Sequence, residues 1–142
     1  MTSTEGGRRR AREAAFRVAF QADLMGESYA STWAGQREGW SLSEDQAELV
    51  DEVVRTLEGR SEEVDEVLKQ AAEHWEVGRL AATDRSVLRA AVAELMGRPG
   101  TPVRVVLNEA IELAKRYGSE ESGRFVNGVL DRVARALRPQ EL

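Results

Sequence analysis

The chain contains no cysteine. That excludes disulfides, thiolate zinc sites and a cysteine nucleophile. Histidine occurs once, as His74, and no Glu-x-x-His pair exists, so a di-iron carboxylate bundle has no ligands. His74 beside Trp75 reads as a partly packed helix residue rather than a base. Proline occurs three times, and β-branched residues never form a long alternating run, which leaves no sequence support for strands. No apolar run approaches the roughly 20 residues that span a bilayer. The N-terminal arginines are not followed by the apolar stretch of a signal peptide, so no membrane partner is expected and the cytoplasm is the expected location. Phosphate-loop and dinucleotide glycine patterns are missing, and the serines lack an elbow sequence. Nothing supports an enzyme, a metal or a cofactor.

What is present is a helix former's composition. Ala, Leu, Glu and Arg dominate 142 residues, of which 42% are apolar and 32% charged. The length fits one domain, and the expected class is all-α. The net charge is −5, but unevenly spread: residues 1–25 carry +2, residues 26–76 carry −10 and residues 77–142 carry +3. An acidic protein still binds nucleic acid when its basic groups share a face, and here the basic segments are the two ends. The acidic middle reads mainly as solvated helix faces, with repulsion of phosphate backbones as its functional reading.

Residues 1–7, MTSTEGG, read as a flexible leader ahead of a single helical domain over 8–142. The first helix is predicted from about Arg8 to Met25, with Gly26 as its stop. A short helix follows between Ser31 and Gly39. Ser43 with Gln46 three residues on makes a capping box for the third helix, which ends at Gly59. Ser61 is the predicted cap of the fourth, whose apolar stripe extends to Trp75. The fifth starts at Thr83 or Asp84. Thr101 caps the sixth, with Pro102 at its first position. Ser119 caps the seventh, which Pro139 closes. About seven amphipathic helices result, in sub-bundles over about 8–59 and 60–138.

Three features carry chemistry. Arg8, Arg9, Arg10 and Arg12 stand at a predicted helix start, where their charge opposes the helix dipole. Arginine forks bind phosphate bidentately and stack on bases; a solubilising terminus is the alternative. Phe125 lies beside Arg124 at the edge of a core stripe. It suits stacking of an unpaired base, with burial in the core as the alternative. Asn108 and Asn127 interrupt apolar patterns, and Gly128 beside Asn127 would let helices approach closely. Lys115, Arg116, Arg132 and Arg135 add charge to the tail, and if the last helix packs on the first, the basic ends merge.

The stretches RRRAREAAFRVAFQ, HWEVGRLAATDRSVLRAAVAELM and VLNEAIELAKRYGSEESGRFVNGVLDRVAR resemble the NusB family of bacterial transcription antitermination factors. They cover about half the chain, in order, and FVNGVLD is the most specific run. The resemblance implies two packed helical sub-bundles. It implies binding of single-stranded boxA RNA together with the ribosomal protein NusE, supporting transcription of rRNA operons alongside other Nus factors and RNA polymerase. Carried over by position, Arg8, Arg9 and Arg10 match the arginine-rich RNA-binding start, and Arg124 and Phe125 the basic and aromatic pair of the last helix. Glu121 stands for an aspartate beside the RNA. Phe20, often tyrosine in the family, and Asp84 match the NusE-facing surface. Asn127 either joins the RNA face or bonds across the last helices. Residues 27–70 transfer nothing. Two alternatives belong to other classes. One is a NusB-like accessory domain of an RNA cytosine methyltransferase, disfavoured because the chain ends at Leu142 without a glycine-rich strand–turn–helix. The other is a helical module that self-associates as a homodimer.

Overall fold

A computed structural model describes residues 4–72 and 75–141; His74 lies outside them. It holds seven α-helices among the described residues: α1 Thr4–Met25, α2 Tyr29–Trp40, α3 Glu44–Gly59, α4 Ser61–Ala71, α5 Ala82–Gly97, α6 Val103–Tyr117 and α7 Glu120–Leu137. Short 3₁₀ turns at Val77–Arg79 and Pro139–Glu141 complete it.

Several predicted boundaries shift, each for a local reason. Residues 4–7 are helical rather than a leader. Their first turn is tied down because Gln46 Nε2 donates to the Gly7 carbonyl at 2.6 Å. Residues 1–3 lie outside the described residues. At the other end of α1, Gly26 adopts φ +67°, a left-handed turn that favours glycine. Ser43 and Gln46 do form the capping box of α3, and Ser119 caps α7 by accepting from the Ser122 N–H. Ser61 is instead the first residue of α4, and Arg60 precedes it without a side-chain cap. Pro102, not Thr101, stands at the N-cap of α6. There Glu141 Oε2 accepts from the Val103 N–H at 3.0 Å, so a residue distant in sequence caps this helix. Arg138, only 5% exposed, locks this corner by donating to the carbonyls of Leu95, Arg98 and Thr101.

Helix α5 is the centre of the packing. It contacts α1 and α3 as well as α4, α6 and α7. Alanines at 11, 15 and 22 on α1 are buried and let that helix lie close. At Gly97 a Cβ would sit 2.5 Å from Thr56 Oγ1, so α3 and α5 meet there at a distance only glycine permits. Leu49, Leu57, Leu68, Leu88 and Leu130 are all under 2% exposed, each contributing about 1.5–3 kcal/mol through burial. Helices α6 and α7 turn back on each other at Gly118. The close approach between them falls at Gly123, whose Cβ would lie 2.8 Å from Lys115 Cγ. Gly128 has open space around it, contrary to the expected role.

Candidate nucleic-acid interface

The arginine run begins at the fifth residue of α1, because the helix starts at Thr4 rather than Arg8. The dipole field falls off within the first turn, so the expected electrostatic conflict is largely removed. Each arginine also has protein around it. Arg8 Nε lies 3.7 Å from Asp45 Oδ2. Arg9 Nε donates to Glu109 Oε1 at 2.9 Å, while the Arg9 side chain stays 67% exposed. That hydrogen bond, reinforced by the Glu109 charge, raises the Arg9 pKa further. The Arg10 guanidinium donates to the Trp40 carbonyl at 2.7 Å and stands 5.3 Å from the centroid of the Trp40 ring.

Arg12 departs from the expected role. It is 5% exposed and grips Glu94, itself 3% exposed, through bonds of 2.9–3.1 Å. Arg12 faces α5 inside the core, where it has no surface to offer RNA. Its signal was readable: Arg12 falls within the apolar stripe of α1, and Glu94 within that of α5, so each stripe holds one charge of opposite sign.

On α7, Glu121, Arg124 and Phe125 share one face at helical spacing of three and four. Ser119 caps the turn that presents them. Glu121, Arg124 and Asn127 are exposed and Phe125 is half-buried. Asn108 is also exposed, so neither asparagine is a polar intrusion into the core. Phe125 meets Trp75 edge to face, with ring centroids 6.0 Å apart and planes at 76°. Trp75 is 57% exposed and does not belong to the inward stripe of α4. The helix ends at Ala71, so the period projected to Trp75 runs past it. This edge-to-face aromatic pair lies at the surface, one step from the exposed guanidinium of Arg124, and suits stacking of unpaired bases. Beyond Trp75 lies a cleft lined by Glu62, Asp65, Glu66 and Glu76, with Lys69 as the one basic side chain among the described residues of its lining. Those carboxylates repel phosphate and leave the α7 side as the favourable approach.

The two basic ends do not meet by direct packing of α7 on α1. Helix α7 packs mainly on α4, α5 and α6, and α6 links it to α1. Across the α1–α6 seam, Glu13 accepts from the Tyr117 hydroxyl and pairs with Arg116 at 3.3 Å. Burial, then the bond to Glu13, raises the Tyr117 pKa. Arg132 and Arg135 are committed to the Ala71 carbonyl and to Asp131.

Phe20 and Asp84 come to the same end of the antiparallel α1–α5 pair. Asp23, three residues from Phe20, pairs with Arg85 at 2.6 Å. Phe20 is half-buried against Phe16, ring centroids 5.9 Å apart. Asp84 is half-buried in the first turn of α5, and its Oδ1 has no hydrogen-bond partner among the described residues. The adjoining end of α1 exposes Leu24 (58%) and Met25 (67%).

Among the described residues no group of three or more potential ligands is placed to hold a metal, and no helix is long and apolar enough to cross a membrane. The model of the NusB family matches residues 9–135. The transcription antitermination protein NusB of Koribacter versatilis (strain Ellin345) is 44% identical, over 96% of this chain and 94% of that protein. The NusB protein of Sorangium cellulosum (strain So ce56) is 46% identical over 93% of this chain and 94% of its own length. Among solved structures, a T. maritima NusB superposes with a TM-score of 0.85 at 34% identity, covering 99% of this chain and 97% of that one. A chain from a crystal structure of the antitermination factors NusB and NusE with double-stranded RNA gives a TM-score of 0.76 at 32% identity, covering 92% and 97%.

Proposed function

This chain belongs to the NusB family, and from that premise we propose that it is a non-enzymatic RNA-binding factor acting in the cytoplasm. It binds boxA-type single-stranded RNA together with the ribosomal protein NusE and supports antitermination in rRNA operons with other Nus factors and RNA polymerase. The observation that carries the reading is the family match over residues 9–135, which takes in most of the arginine run and the whole α7 face. The likeness to a NusB chain from a NusB–NusE–RNA crystal supports it.

The residues divide the work. Arg8, Arg9 and Arg10 hold phosphates, which fixes the strand without reading it. Phe125 stacks an unpaired base, with Arg124 beside it for the backbone. Glu121 and Asn127 supply base-edge acceptor and donor groups on the same face. Phe20 and Asp84 face the ribosomal partner. Phe20 has no hydroxyl, so its contribution is apolar contact alone.

The test is a titration of the protein, with and without the ribosomal partner, against boxA RNA and a scrambled RNA of equal length at stated salt. Tighter binding of boxA, strengthened by the partner, is the expected result. Equal affinity for the two RNAs under both conditions contradicts the reading.

A further inference from the structure

Helices α1 and α2 enclose a groove of about 700 Å³, within the size range of small-ligand clefts. Arg10, Arg17, Gln21, Gln36 and Trp40 line it, with Phe20 and the exposed Leu24 and Met25 toward the end of α1. No acidic side chain among the described residues does so, although one wall comes from the segment 26–76, which carries a net charge of −10. The Arg10 and Arg17 guanidiniums stand 5.3 and 5.9 Å from the Trp40 ring centroid. Neither enters an ion pair among the described residues, whereas Arg9, Arg12 and Arg116 all pair with glutamates. The ring itself is fixed. Trp40 Nε1 donates to Gln36 Oε1 at 3.0 Å, and Gln36 Nε2 donates to Gln21 Oε1 at 2.9 Å.

We infer that this groove is a second single-strand RNA subsite, taking unpaired nucleotides that flank the segment bound at the α7 face and the arginine run. The inference rests on the RNA-binding reading above. The Arg17 guanidinium supplies a phosphate fork, and Arg10, whose Nε and Nη2 donate to the Trp40 carbonyl, adds its remaining N–H groups. The held Trp40 indole supplies a stacking surface, which accepts any base because every base has a π-face. Arg10 belongs both to the groove and to the arginine run, so one strand passes from one to the other without leaving the basic surface. The α2 wall is kept open by Gly35 and Gly39, where an added Cβ meets nothing within 4 Å.

Those glycines give the test. Affinity is measured for a minimal boxA RNA and for the same RNA with unstructured nucleotides added on both sides. The proteins are the wild type, Gly35→Glu, the size control Gly35→Gln, and Arg17→Gln, with circular dichroism confirming helix content. The wild type gains about tenfold or more on extension, the equivalent of about one stacked base. The gain is the same for flanks of different sequence. Gly35→Glu and Arg17→Gln lose it while binding the minimal RNA as the wild type does, and Gly35→Gln keeps it. No gain on extension, or a gain that survives Gly35→Glu, overturns the inference. So does a Gly35→Glu protein that binds both RNAs normally but loses the ribosomal partner, which makes the groove a protein-docking surface. Failure of the RNA-binding reading shows separately, as equal affinity of the wild type for minimal boxA and scrambled RNA.

Discussion

The arginine start of α1 and the outer face of α7 both carry positive charge near aromatic rings, but they are built differently. At α1, Arg9 is tied to Glu109 and Arg10 to the Trp40 carbonyl, so the guanidiniums are pre-positioned on a rigid helix. At α7, Arg124 is exposed and Phe125 presents an edge-to-face pair with Trp75. A positioned fork suits phosphate, which is the same at every nucleotide, whereas an aromatic surface meets the base itself. Charge alone therefore does not mark a reader of sequence. The difference also separates neighbours in one run: Arg12 lies three residues from Arg9 and serves the core instead.

The largest expected effect is at the buried arginine. Arg12→Ala leaves Glu94 charged and unpaired inside the helix bundle, a loss of about 3–5 kcal/mol. Arg9→Ala, which breaks an exposed and solvent-screened pair, is far milder. Urea unfolding of the two variants measures both, and equal losses contradict the division of the run. Next in size is Phe125→Ala, which costs about 1–3 kcal/mol of RNA binding, the range for one stacked base; unchanged affinity with intact helix content removes Phe125 from the face. Smaller still is the double variant Arg9→Ala, Arg10→Ala. It flattens the slope of log affinity against log salt by roughly 0.7 for each single-strand phosphate that is no longer neutralised. Weaker binding with the wild-type slope speaks against phosphate binding there.

The smallest effect concerns the corner that holds α6, and through it α7. The Val103 N–H first, and Arg138 second, hold the Glu141 carboxyl below the usual carboxylate range. A depressed folded pKa means that its stabilisation is present above the unfolded value and is lost as pH falls through the folded one. Glu141→Gln is therefore less stable than the wild type at neutral pH, and the two converge in acid. Thermal melts across that range check it, and a difference that persists in acid contradicts the role of the charge.

The sequence is a good guide wherever a local rule decides. Ser43 with Gln46, Ser119 and Gly26 set helix ends through bonds and backbone angles that involve only nearby residues. The apolar period of α5 places Val87, Leu88, Val92 and Leu95 in the core, where they lie. The departures come from contacts distant in sequence. Gln46 holding Gly7 extends α1 to Thr4, and Glu141 capping Val103 shifts the start of α6. Arg12 looks like its arginine neighbours by composition alone, and only its place in the apolar stripe of α1, matched by Glu94 in that of α5, sets it apart. Trp75 reads as core only if α4 continues past Ala71. Of the candidate site, the Arg124–Phe125 pair is legible because helical spacing alone puts it at the edge of a core stripe. The partner ring of Trp75 is not, because a chain turn brings it there.

In the proposed function the α1 arginines hold the strand and the α7 face reads it. The most direct measurement is the ratio of affinities for boxA and scrambled RNA, taken over a salt series, for the Arg9→Ala, Arg10→Ala double variant and for Phe125→Ala. The predicted result is that the arginine variant loses salt slope and keeps the ratio, while Phe125→Ala loses ratio and keeps the slope. Loss of the ratio in the arginine variant with an unaltered ratio in Phe125→Ala contradicts it.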